Sequence, residues 1–88
     1  MYIVYVSTKV GKNPSASIES AIKDLEWARL RGGDAYLVFG ETSPKDLRDL
    51  IRPLLGDSGH ILVIEVNAKN RSGFLATSTV DWIKKHAP

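Results

Sequence analysis

The topology of this chain depends on residues 26–39, EWARLRGGDAYLVF. Residues 26–31 have two interpretations, because helix propensity favours an extension of the preceding helix, whereas the same residues also alternate as a short strand. Gly32 and Gly33 permit positive φ at little steric cost, as a tight hairpin requires. Ala35 to Phe39 is predicted to be a strand. Helix and strand therefore both remain open for residues 27–31 at the level of local pattern.

Two further segments predict strands that are buried on both faces. Tyr2 to Val6 and His60 to Val66 are rich in β-branched and aromatic residues, which favour strands. Apolar residues fill both alternating sets of positions in these strands, and only Glu65 interrupts the pattern. Antiparallel strands with one wet face normally alternate apolar and polar residues. The sequence therefore predicts a sheet with two apolar faces.

Two apolar stripes at helical spacing predict the main helices. The first follows a cap and helix-start proline at Asn13-Pro14, and the second follows Ser43-Pro44 with Asp46 completing a capping box. Pro53 lies inside the second stripe and predicts a kink or a tightened last turn before Gly56. The stripe residues are Ile18, Ala21, Ile22 and Leu25, then Leu47, Leu50, Ile51, Leu54 and Leu55.

The number of strands favours the hairpin over the helix for residues 27–31. With a strand there, the order is β-α-β-β-α-β, followed by a short C-terminal helix capped by Ser78 or Thr79. This is an α+β fold of the ferredoxin-like split βαβ type, with an antiparallel sheet and both main helices on one face. With a helix there, three strands would form a very small sheet. Eighty-eight residues predict a single domain, residues 1–88.

The composition excludes several classes of site. The chain has no cysteine, which excludes disulfides, thiolate metal sites and thiol catalysis. Twelve Lys and Arg against 10 Asp and Glu give a net charge of +2, too little for an electrostatic footprint on nucleic acid. The apolar start lacks a basic leader and stops at Ser7, so we expect no signal peptide, no membrane span and a cytoplasmic location.

The second apolar face of the sheet needs a cover, because a large exposed apolar patch normally marks an interaction surface. A second copy of the chain, its own C-terminal segment with Phe74, Leu75, Trp82 and Ile83, or a ligand such as stacked bases would each provide one. We favour self-association, because the C-terminal segment is short and shields only part of a sheet. The predicted interface comprises Ile3, Tyr5, Tyr36, Val38, Ile61 and Val63.

From Trp27 onward the chain resembles the SinR-type proteins, which are similar to the small dimeric CRISPR-associated subunit that partners the spacer integrase. The resemblance lies in Trp27-Ala28 before the hairpin, in a helix over residues 46–55 with proline in its second half, and in the ending Asp81-Trp-Ile-Lys-Lys85. It implies a ferredoxin-like fold and a homodimer that packs sheet on sheet. We therefore expect a homodimeric interaction or scaffold protein.

Nuclease members of that family are similar in fold and place a carboxylate at the end of the first strand, where two subunits hold Mg²⁺. Ser7-Thr8 occupies that position here, and a hydroxyl does not replace the charge of a hard carboxylate ligand. This departure from the family's pattern leads us to expect no catalytic residue, no metal site and no cofactor. Ser7 or Ser17 would serve as a nucleophile only beside a positioned base.

The alternative function comes from a second resemblance. Val4-Tyr5-Val6 and the strand over residues 35–39 resemble the first-strand and third-strand motifs of RNA-recognition motifs, which share the β-α-β-β-α-β order. Because those strands are adjacent in that fold, Tyr5 and Tyr36 are predicted to stack bases of single-stranded RNA side by side. Lys69 and Arg71, after the last strand, are the predicted phosphate contacts.

Overall fold

The computed structural model describes residues 1–8 and 14–87. Within them the chain forms an α+β fold with a four-stranded antiparallel sheet and three α-helices. None of the helices in these two ranges is long and apolar enough to cross a bilayer. The elements are β1 (Tyr2–Ser7), α1 (Ser15–Ala21), β2 (Glu26–Arg31), β3 (Ala35–Phe39), α2 (Pro44–Ile51), a 3₁₀ turn (Arg52–Leu54), β4 (His60–Glu65) and α3 (Thr77–His86).

Residues 27–31 are a strand, so the hairpin interpretation is confirmed. Gly32 in the turn has a φ of +28°, a value that glycine tolerates better than residues with a Cβ. The sheet order is β2-β3-β1-β4, and every neighbouring pair is antiparallel. The register between β2 and β3 shifts between Arg29 and Arg31. This bulge bends the β2 edge of the sheet.

The second main helix follows its sequence signals closely. Ser43 caps α2 and accepts a hydrogen bond from the backbone N–H of Asp46 at 3.1 Å. Pro44 is the first helical residue. The 3₁₀ turn contains Pro53, as predicted for a tightened last turn. Gly56 then ends the helical segment with a φ of +74°.

The other two helices begin differently from the sequence prediction. Pro14 is the N-cap of α1 and makes no side-chain capping bond, while Asn13, the predicted cap, lies outside the described residues. The N-cap of α3 is Ala76, so the prediction that Ser78 or Thr79 caps this helix is wrong. Ser78 and Thr79 instead lie inside the first turn of α3. The exact first residue of a helix is difficult to predict from sequence.

The core lies between one face of the sheet and helices α1 and α2. Ile18 and Ile22 from the first helical segment meet Leu47 and Ile51 of α2 above the central strands. Each of these side chains is fully buried, which contributes about 1.5–3 kcal/mol per residue to stability. The buried cluster comprises Tyr2, Val4, Val6, Ile18, Ile22, Tyr36, Val38, Leu47, Ile51 and Leu55.

A polar network fixes α1 to strands β2 and β3. Arg29 donates two hydrogen bonds to the Glu19 carboxylate, at 2.6 and 2.7 Å, and the Tyr36 hydroxyl donates a third at 3.0 Å. The hydrogen bond from Arg29 lowers the pKa of Glu19. Burial, and then the hydrogen bond to Glu19, raises the pKa of Tyr36 to about 12. The Tyr36 hydroxyl is therefore a structural donor within the fold.

Candidate interaction surface

The strand register assigns each side chain to one of two faces of the sheet. Residues directly opposite in an antiparallel pair point to the same face. Val4 lies opposite Tyr36 on one side and Val63 on the other, so these three belong to the face packed under α1 and α2. Tyr5 lies opposite Leu62 and Ala35 on the other face. We call this second face the open face.

Helix α3 covers the β2–β3 half of the open face. Leu37 of β3 points to this face, lies outside the core cluster and is only 4% exposed. Two residues of the C-terminal segment, Ile83 and Ala87, are also buried outside that cluster. The His86 ring lies 5.2 Å from Phe39 of β3 and stacks at 4.3 Å on Trp82. The C-terminal segment therefore provides part of the cover that the sheet requires.

Two polar contacts involve the end of α3, one with the sheet and one with the loop after β4. Nε2 of His86 lies 3.7 Å from a carboxylate oxygen of Glu26 on β2. The Arg71 guanidinium donates one hydrogen bond to the backbone carbonyl of Ala87 at 2.6 Å and another to that of Ala68 at 2.7 Å. Arg71 thereby ties the loop after β4 to the end of the last helix.

The β1–β4 half of the open face keeps its apolar side chains in solvent. Tyr5 is 48% exposed, Leu62 54% and Ile64 48%, and Ile3 lies beside them, opposite Ile64. We call Ile3, Tyr5, Leu62 and Ile64 the exposed stripe. Four adjacent apolar side chains on one face of a sheet form a contiguous patch of the kind that marks an interaction surface.

The predicted interface therefore mixed residues from both faces. Ile3 and Tyr5 do lie on the open face. Tyr36 and Val38 are fully buried beneath the helices, and Ile61 and Val63 pack partly against the same core, so the prediction that these residues share a surface with Tyr5 is wrong. The β4 side chains that share the open face with Ile3 and Tyr5 are Leu62 and Ile64. Alternation identified both sets in β4, but only the register with β1 decides which set faces outward.

The residues predicted to bind RNA are not brought together either. Tyr5 is exposed, whereas Tyr36 has no exposed surface and points to the opposite face. The two rings therefore cannot stack neighbouring bases on one surface. Arg71 uses its guanidinium on two backbone carbonyls, and Lys69 lies in an exposed turn, where its backbone N–H bonds to the Asn67 side chain. The structure thus leaves Tyr5 as the one accessible ring of the predicted pair.

The sheet does bring one histidine beside a serine. Ser7 and His60 are opposite each other at the end of β1 and β4, with Oγ and Nδ1 3.4 Å apart. This distance exceeds the roughly 2.6–3.2 Å expected between a nucleophile and its base. Within residues 1–8 and 14–87, no carboxylate bonds the other ring nitrogen of His60. In the same ranges, no group of three His, Asp or Glu residues is placed to hold a metal ion.

Comparison with protein-family models, curated proteins and solved structures found no match to this chain.

Proposed function

We propose that this chain is a non-catalytic interaction protein that forms a homodimer by packing its exposed stripe against the exposed stripe of a second copy. The observation that carries the proposal is the uncovered β1–β4 half of the open face, where Tyr5, Leu62 and Ile64 are each about half exposed. Burying such side chains contributes up to about 1.5–3 kcal/mol each. A two-fold axis over the stripe lets both copies use the same surface.

The proposal includes a ferredoxin-like fold and a relationship to the small CRISPR-associated subunit. Its support is the element order, the sheet order β2-β3-β1-β4 and the packing of α1 and α2 on one face. In such a protein the β1–β4 half of the open face is available for sheet-on-sheet contact, and binding to nucleic acid would be a property of the assembled dimer. The absence of cysteine supports a cytoplasmic location, since small secreted domains usually depend on disulfides.

Light scattering at micromolar concentration tests the proposal. The wild-type chain should show at least twice the 9.7 kDa mass of one chain, and Tyr5→Glu should reduce it, because a carboxylate would be desolvated in the stripe. Leu50→Glu is the matched control, since Leu50 on α2 is similarly exposed at 44% but lies on the other side of the molecule. A wild-type monomer, or an unchanged mass for a folded Tyr5→Glu variant, would refute the proposal.

A further inference from the structure

The outer edge of β4 carries backbone groups that have no hydrogen-bond partner within residues 1–8 and 14–87. β4 is at one end of the sheet, next to β1. The backbone N–H of Val66 bonds to the carbonyl of Met1, and that of Val6 bonds to Asp34 of the β3 side. Because backbone direction alternates along a strand, Ile64 and its alternate neighbours bond to β1. The N–H and C=O groups of Ile61, Val63 and Glu65 therefore point away from the sheet.

The two edges of the sheet differ in how they are protected. β2, at the other end, carries Arg29 and Arg31 and contains the bulge. Charges, bulges and covering helices are the usual devices that keep an edge strand from pairing with another chain. β4 reads HILVIE, with no proline, no lysine and a continuous register to β1. An edge of this kind is suited to accept another strand.

We propose that β4 pairs antiparallel with β4 of a second copy, with Val63 opposite Val63 of the second copy. In this register Ile61 lies opposite Glu65 of the other chain, so every outward backbone group of Ile61, Val63 and Glu65 gains a partner. A shift by one residue would place the face packed under α1 and α2 in one copy beside the open face of the other. A shift by two residues would leave some of these groups unpaired. The symmetric register is therefore the best match of the strand to itself.

The charges beside the edge fit the same register. Lys45 and Arg48 line a groove together with Ile61, Leu62 and Val63. Both cations bond to one carboxylate, that of Asp49, at 3.1 and 2.9 Å, so this wall of the groove keeps a net positive charge. Glu65 of the second copy, opposite Ile61 and on the helix side of the sheet, would enter this groove. Its charge complements the cations that it meets there.

Edge pairing also places the exposed stripes of the two copies next to each other. Leu62 and Ile64 are on β4 itself, so in the paired sheet they lie opposite Ile64 and Leu62 of the second copy on the open face. The two α3 helices lie at the far ends, over the β2–β3 halves. The edge contact goes beyond the proposed function, because it forms whether or not the open faces pack. When both contacts form, two paired sheets stack on their joined stripes.

The test uses two single variants in a Tyr5→Glu background, where packing through the open face is removed. The background itself should have twice the 9.7 kDa mass through the edge contact. Glu65→Lys should halve that mass, because the new lysine meets Lys45 and Arg48 of the other copy. Arg48→Glu should also halve the mass, because the new carboxylate would repel Glu65 of the other copy. An equimolar mixture of the two variants should recover the dimer mass, because both cross-copy contacts then join opposite charges.

A third variant in the same background separates the backbone contact from the charges. Val63→Pro removes an outward N–H that bonds to nothing in the described chain, so the β1–β4 ladder is retained and the edge pairing is lost. A monomeric Tyr5→Glu background, or a mixture of Glu65→Lys and Arg48→Glu that stays monomeric, would overturn the inference. The proposed function fails separately, when Tyr5→Glu leaves the wild-type mass unchanged while Glu65→Lys still lowers it.

Discussion

Replacement of Tyr36 by phenylalanine should change how the stability of this protein depends on alkaline pH. Tyr36 has no exposed surface, and its hydroxyl donates to Glu19 at 3.0 Å. Burial and this carboxylate raise its pKa from 10.0 to about 12. A group with a raised pKa in the folded state holds its proton there after the unfolded chain has lost it. Stability is therefore intact below pH 10 and falls as the pH rises toward 12.

The size of this effect follows from the shift. One pKa unit corresponds to about 1.4 kcal/mol, so the wild type should lose about 1.4 kcal/mol by pH 11 and at most about 3 kcal/mol above pH 12 from Tyr36 alone. The larger figure is an upper bound, because the Arg29 side of the network is open to solvent, which weakens charge interactions. Tyr36→Phe should lack this loss. At neutral pH it should cost about 1 kcal/mol for the missing hydrogen bond.

Urea unfolding of both proteins between pH 8 and pH 11.5 measures the difference. Other groups titrate in this range, but they are common to both chains and cancel in the comparison. Parallel curves for wild type and Tyr36→Phe would refute the structural role of this hydroxyl.

Two further predictions concern the same core. The hydrogen bond from Arg29 lowers the pKa of Glu19. The contribution of Glu19 to stability is therefore present above about pH 4.3, its usual pKa, and is lost as the pH falls through the lowered pKa of the folded state. Glu19→Gln should be less stable than wild type in urea unfolding at pH 7, and this deficit should shrink as the measurement is repeated at progressively lower pH. Leu47→Ala should destabilise the fold by about 2–5 kcal/mol in thermal unfolding, because Leu47 is fully buried. Leu50→Ala, three residues away but 44% exposed, should lower the free energy of unfolding far less. Equal losses for the two variants would show that the side of α2 that faces the core is assigned wrongly.

Local signals in the sequence predicted most of the elements because each signal acts within a few residues. Ser43-Pro44 set the start of α2, and Pro53 tightened its end, since capping and ring geometry need no distant partner. The segment Ala35–Phe39 matched its strand to the residue. The failed prediction at Ser78 and Thr79 shows the limit of this approach, because a hydroxyl near a helix start does not cap unless the backbone positions it.

The face of each strand was beyond the reach of local pattern. Tyr36 and Tyr5 look alike in the sequence, and both lie in apolar strands. Their separation depends on the pairing of Val4 with Tyr36, which places Tyr36 beneath α1, where Glu19 accepts its hydrogen bond. The C-terminal segment was one of three possible covers for the open face, but its position over the β2–β3 half alone could not be predicted, because period-two alternation describes a strand without identifying what covers it.

The attachment of α3 has a consequence for heating. This helix is held over the open face by few buried side chains, by the His86 ring and by the Arg71 hydrogen bond to Ala87. Elements with few buried contacts open before the rest of a domain unfolds. Undocking of α3 would expose Leu37 and Phe39 beside Ile3 and Tyr5. The exposed apolar surface of the sheet would then be larger. Mild warming would then drive clustering of otherwise folded molecules.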